Sequence, residues 1–356
     1  MTTKATAPQD TADQLVDLPA LTAWMDDQQL GGGSIDAVEP LSGGSQNVML
    51  HLQRGGRSFV LRRGPLHPRP GSAEALRREI RVLGALAGSD VPHPTLLAAC
   101  PDDGVLEGGP FFLMELVDGF NPMVELPPLH RGDAAIRREM GYAAVDALAA
   151  LGAVDHRAVG LEDFGRPDGF LERQIPRWRS ELESYSRYDG YAGFDLPALD
   201  LVASWLEAQR PSSFEPGIMH GDFHLANLMY SADGPRVVAV VDWEMSTVAD
   251  PLLDLGWLLA GWPRHDRPSL LSGALADAGG LPSVADLAAR YSERSERDLS
   301  RLPWYVVMAC FKFGIVLEGT YARSLAGQAP AAMGRQLHGM AVELFERAVE
   351  TIKEDG

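Results

Sequence analysis

Apolar residues recur with two different periods along this chain, and the change comes about a third of the way through. Alternating positions predict strands at Ile35 to Pro40, Asn47 to Gln53 and Ser58 to Arg62. Leu41-Ser42-Gly43-Gly44-Ser45 and Arg54-Gly55-Gly56-Arg57 join them, which makes two hairpins in series. A short helical pattern, Leu18 to Leu30, precedes them and stops at Gly31-Gly32-Gly33. A second helix follows, with Ser72 as its N-cap, Leu86 near its end and Gly88 just beyond. Gly109 to Val117 then reads as a buried strand running into an Asp118-Gly119 turn.

Beyond that turn the period lengthens to that of helices, at Ala134 to Leu151, Phe170 to Tyr185, Leu196 to Ala208, Leu252 to Leu259, Val284 to Leu299, Pro303 to Ser324 and Ala331 to Lys353. Two short apolar strands, around Ile218-Met219 and Val237 to Val241, interrupt them. The pattern implies a loose tail at 1–17, a small β-rich lobe at 18–117 and a larger, mostly helical lobe at 118–356, joined near Glu115 to Gly119.

Composition narrows the picture. With 356 residues the chain has ample length for two lobes sharing one cleft. A net charge of −18 leaves no general basic footprint for a phosphate backbone, so nucleic acid is not an expected partner. No apolar run is expected to reach the roughly 20 residues of a membrane span. The start, Met1 to Asp17, is polar with no hydrophobic segment before a cleavage site, and the expected location is cytoplasmic. Cys100 and Cys310 are far apart and form no CxxC pair, which argues against a disulfide framework and a thiolate zinc site.

The chemistry concentrates in His220-Gly221-Asp222-Phe223-His224-Leu225-Ala226-Asn227, followed by an Asp233-Gly234 hairpin and a strand that delivers Asp242. A lone aspartate in such a run is most often a turn residue. Here Asn227 stands five residues after Asp222, the spacing of a kinase catalytic loop, and Asp242 follows a further strand as a metal-binding aspartate must. Phosphoryl transfer needs an oriented hydroxyl, hard oxygen ligands for magnesium and cancelled charge on the moving group. His220 and His224 are four apart, like the histidines of a zinc-protease helix, yet Gly221 occupies the glutamate position of H-E-x-x-H. There is neither a G-x-x-x-x-G-K-[ST] loop nor a dinucleotide-binding fingerprint.

With its H-G-D-x-x-x-x-N and later D-W, the chain resembles the aminoglycoside phosphotransferase and choline kinase-like superfamily, whose fold is α+β, protein-kinase-like and bilobal. The resemblance implies that Asp222 is the catalytic aspartate and that Asn227 and Asp242 ligate Mg2+. Asp250 and Asp254 match the family's D-P-x-x-D, with one of them expected to bond backbone amides near the catalytic loop. His220 is expected to brace the loop, while His224 either approaches the substrate or packs beneath the loop.

An ATP site also needs amides over the phosphates, a cation and an acid that fixes it. Ser42, Gly43, Gly44 and Ser45 are candidates for the first, although such hairpins are common without a ligand. Arg62, in Phe59-Val60-Leu61-Arg62, stands where a lysine is usual, and Glu79 is its candidate partner or else a solvated helix-face residue. Phe111 to Val117 would be the hinge, with backbone groups of Glu115 and Val117 pairing with adenine, though a plain buried strand would look the same.

Val60-Leu61-Arg62-Arg63 places the chain nearest the branch resembling kinase domains fused to acyl-CoA dehydrogenases. Phe170 to Trp178 and Phe311 to Gly319 extend that similarity. The implied function is transfer of the γ-phosphate of ATP to a hydroxyl of a small molecule. A hydroxylated metabolite such as a hydroxyacyl-CoA leads, then a choline-like or sugar-like alcohol, then an aminoglycoside. The alternative is a pseudokinase that binds nucleotide and regulates a partner, prompted by Arg62.

Overall fold

The computed structural model describes residues 15–41, 47–65, 71–102, 104–106, 109–193, 196–263 and 273–356. Most of the expected tail lies outside these residues, as do Ser42, Gly43, Gly44 and Ser45. The described residues form two compact units. One holds those up to Gly119 together with Val238–Ser246; the other holds Phe120–Val237 and Thr247–Gly356. The return of Val238–Ser246, which carries Asp242, to the first unit is something no periodicity could announce.

In the first unit β1 (Ile35–Pro40), β2 (Val48–Arg54), β3 (Arg57–Arg63), β4 (Leu96–Cys100) and β5 (Phe111–Met114) form one antiparallel sheet in the order β1-β2-β3-β5-β4. Strand β4, Leu-Leu-Ala-Ala-Cys, has no alternation in sequence and was not expected. Leu50 opposes Leu61 and Leu52 opposes Phe59 across β2 and β3, and all four are buried in a core shared with Leu21 and Met25 of the helix Leu18–Asp27. Because strand side chains alternate, Val60 and Arg62 point to the other face. The helix Ser72–Leu86 is capped by Gly71 at φ 90°, a left-handed conformation suited to glycine, and Ser72 is its first turn rather than its cap.

The second unit is helical: Ala134–Ala153, Gln174–Ser184, Leu199–Ala208, Leu252–Ala260, Val284–Arg294, Leu302–Leu325 and Ala331–Asp355. The expected helix from Phe170 starts only at Gln174, after a series of turns, and the one expected to reach Leu299 ends at Arg294, where Ser295 becomes extended. Short helices at Pro128–Gly132 and Ala274–Ala278, and a strand Thr247–Ala249 pairing with Gly217–Met219, are too brief to carry a period.

Contrary to expectation, Leu302–Leu325 is long and apolar enough to cross a membrane by length and composition alone. It packs against Ala331–Asp355 and Leu252–Ala260, and it carries the fully buried Glu318, so it serves as the central core helix of this unit. Gly256 makes the crossing possible, because a Cβ there would stand 2.4 Å from the Tyr305 carbonyl oxygen. That close approach sets Trp257 beside Lys312, whose ammonium lies 4.3 Å from the centre of the indole ring.

Candidate active site

In the second unit, the strand Gly217–Met219 feeds a loop that turns at Gly221, φ 86°. A side chain would strain that turn, so glycine is needed between His220 and Asp222. The loop is held from below by Asp254, in the first turn of Leu252–Ala260: its carboxylate accepts from His220 N at 2.6 Å and from Gly221 N at 2.8 Å. This is the expected bond to the loop, and of the two candidates Asp254 makes it. Asp250 instead accepts from Leu252 N at 3.1 Å and from the Tyr305 hydroxyl at 2.6 Å. Burial pushes the Asp254 carboxyl up to about 7, against the two amide bonds that favour its charge.

Asp222 sits in a ring of donors. Trp257 Nε1 donates to its Oδ1 at 3.1 Å, Asn227 Nδ2 donates to Oδ2 at 3.1 Å and to the backbone oxygen at 2.9 Å, and His224 Nε2 lies 3.3 Å from Oδ2. Burial alone would raise this carboxyl, but the hydrogen bond from His224 and the charge of Lys312 hold it well below the usual carboxylate range. With its amide nitrogen so engaged, Asn227 keeps Oδ1 as an acceptor for a cation. His220 braces the turn as expected, accepting from Asp222 N at 3.3 Å. His224 caps the following turn by accepting from Ala226 N at 3.2 Å, so both histidines are engaged within the loop.

In the first unit the cluster gathers around Arg62. Its Nε lies 2.8 Å from Glu79 Oε2, its Nη2 donates to Asp242 Oδ1 at 2.8 Å, and Glu244 Oε2 is 3.7 Å from Nη2. Glu79 is 2% exposed, which decides against a solvated helix-face residue. Burial raises its carboxyl to about 7; Arg62 opposes the shift while Asp242 and Glu244 add to it. Asp242 ends the apolar strand Val237–Val240 at φ 69°, a left-handed conformation that aspartate tolerates better than most residues. Asn47 Nδ2 donates to Glu244 Oε2 at 3.4 Å. Glu115 N donates to Thr95 O at 3.0 Å, so an adenine contact at Glu115 falls to its carbonyl, with Val117 partly exposed two residues on.

The sequence-expected residues therefore gather in two sets: Arg62, Glu79 and Asp242 in the first unit, Asp222 and Asn227 in the second. Trp257, Lys312 and Glu244 were not singled out by sequence reasoning, although Lys312 falls in the Phe311 to Gly319 segment that drew attention. Among the described residues no group of three or more His, Cys, Asp and Glu side chains could hold a metal ion by itself. Magnesium does not require one, since it keeps several waters and takes one or two carboxylates plus substrate phosphates. Hard oxygens such as Asn227 Oδ1 and the Asp242 carboxylate suit it.

Comparison with known proteins agrees with this chemistry. Residues 37–290 match the model of the phosphotransferase enzyme family. Acyl-CoA dehydrogenase family member 11 of Gallus gallus is 32% identical over 327 residues, which cover 89% of this chain and 40% of that protein. Family member 10 of Mus musculus is 30% identical over 318 residues, 88% of this chain and 29% of that one. The chain thus spans less than half the length of these relatives. A solved protein from Ralstonia eutropha JMP134, assigned as an aminoglycoside phosphotransferase, has 31% identity and a TM-score of 0.80, over 95% of this chain and 99% of the other. The GDP and kanamycin complex of APH(2″)-IIIa, 18% identical with a TM-score of 0.59 over 93% of this chain and 98% of that one, shares the fold. That fold is α+β and protein-kinase-like, with a small β-rich lobe and a larger helical one.

Proposed function

The chain belongs to the phosphotransferase enzyme family, and on that premise we propose that it moves the γ-phosphoryl group of ATP to a hydroxyl of a small molecule. The observation that carries the reading is the Asp222 carboxylate, oriented by Trp257, His224 and Asn227 on a loop pinned by Asp254. Such a carboxylate is fixed and ionised, and it accepts a hydrogen bond from the incoming alcohol, aims that oxygen at the phosphorus and takes its proton as the bond to phosphorus forms.

Arg62, held by Glu79, supplies positive charge for the phosphates, and backbone groups of Glu115 and Val117 meet the adenine. Asn227 and Asp242 are the ligands for magnesium, which offsets charge on the phosphoryl oxygens when bound. Arg62 reaches its glutamate at 2.8 Å as a lysine there would, so the exchange that prompted the pseudokinase alternative does not favour it.

For the acceptor, a hydroxylated acyl-CoA is proposed first. The names of the relatives support it, as does positive charge in the second unit: Arg177 stacks on Trp178, and Lys312 contacts the same ring at 5.6 Å. A polycationic aminoglycoside would be repelled by both. An ADP-release assay over hydroxyacyl-CoAs, choline-like and sugar-like alcohols and aminoglycosides tests the reading. Turnover with the first class and none with the last is expected; nucleotide binding with no turnover on any alcohol would favour the regulatory module.

A further inference from the structure

Lys312 is partly buried in the second unit, and among the described residues no carboxylate is bonded to it. Its ammonium donates to the Gly221 carbonyl oxygen at 3.1 Å and lies over the faces of Trp257 and Trp178, at 4.3 and 5.6 Å from the ring centres. Burial lowers its affinity for a proton, and the charges of Asp222 and Asp254 oppose that. A lysine is expensive to bury unless the charge is used.

Two of its contacts lead to the same atoms. The carbonyl it holds belongs to the peptide joining Gly221 to Asp222, and the preceding peptide is fixed by Asp254 through Gly221 N. The indole it stacks on is the one whose Nε1 donates to Asp222 Oδ1, and Phe313 packs against that ring at 4.8 Å. Lys312 therefore bears on Asp222 from the backbone, through Gly221, and from the carboxylate, through the plane of Trp257.

We propose that Lys312 and Trp257 are a coupled pair of positioning residues, the ammonium setting the Gly221 peptide and the indole plane, and the indole N–H setting the rotation of the Asp222 carboxylate. The proposal rests on the reading of Asp222 as the catalytic carboxylate. A cation held over an indole face favours one ring orientation over others.

The test uses the full chain labelled with 15N at the indoles of its 7 tryptophans. Trp257→Phe identifies the signal of Trp257 by its disappearance. That signal is expected to lose its downfield shift in Asp222→Asn and in Lys312→Met while the other indole signals stay in place, and to return toward its original position in Lys312→Arg. If Lys312→Met does not fold, Lys312→Gln takes its place: it keeps a donor for Gly221 but no charge over the ring, and the shift is again expected.

A Trp257 signal indifferent to loss of the Lys312 charge overturns the proposal. In the ADP-release assay Lys312→Met should lower kcat about ten- to a hundredfold with KM for ATP unchanged. A loss confined to KM would equally overturn it. Should Asp222→Asn turn over normally, the catalytic reading of Asp222 fails, while the indole shifts still decide whether Lys312 and Trp257 are coupled to that carboxylate.

Discussion

Around Arg62 three carboxylates share one guanidinium, whereas around Asp222 one carboxylate is met by three side-chain donors. The first cluster is short of positive charge, and the second has three of its carboxylate acceptor sites taken, leaving one for an incoming hydroxyl. Burial, helped by the charge excess of the first kind, raises the Glu79 carboxyl, and that excess leaves oxygen ligands wanting a cation; the donors of the second kind keep Asp222 ionised and still. A phosphotransferase needs both conditions, one to receive a charged nucleotide with its metal and one to aim a hydroxyl.

The contrast can be broken most severely at Asp222. Replacing it by asparagine should cost about 10²- to 10⁴-fold in kcat, with calorimetric binding of ATP and magnesium nearly unchanged. Loss of nucleotide binding would mean that the cluster around Asp222 does the work assigned to the other one.

Arg62→Met should cost about 3–5 kcal/mol of stability by denaturant titration, because Glu79 is left buried without its partner. The cost should shrink at pH 5, where Glu79, raised to about 7, takes up a proton, and be largest at pH 8. A pH-independent cost would show that Glu79 is not the stranded charge. At Asp242, asparagine removes one of the excess charges, and magnesium affinity measured with ATP should fall by at least about tenfold.

The smallest effect is at the support beneath the loop. Folding raises the Asp254 carboxyl to about 7, so the stability it contributes is present below its unfolded value near 4 and is lost as the pH rises through 7. The unfolding free energy of the wild type, measured by denaturant titration, should therefore fall between pH 5 and 7 relative to Asp254→Asn, by on the order of 1 kcal/mol per pH unit. The substitution itself should cost about 1–3 kcal/mol, since it disturbs the bonds to His220 N and Gly221 N.

Much of this was readable in the residues. The hairpins β1 to β3 declare themselves by alternation and glycine turns, and Asp222, Asn227 and Asp242 by spacing, since a catalytic loop is local in sequence. Strand β4 was not legible because Leu96–Cys100 is a short, continuously apolar run whose residues are nearly all half-buried at the sheet edge, with no alternation to show. Glu79 could be told from a surface glutamate only by its burial. Trp257 and Lys312 reach Asp222 over 35 and 90 residues of chain, through a helix crossing set by Gly256, and nothing local marks such a contact.

The central claim is that Asp222 directs an alcohol toward the γ-phosphorus, and transfer of an isotopically labelled γ-phosphoryl group from ATP tests it most directly. With magnesium and a mixture of hydroxylated metabolites, mass spectrometry should find one class of alcohol carrying the label after incubation with the wild type and none after Asp222→Asn. Label appearing on the same alcohol at the same rate with both proteins would contradict the account.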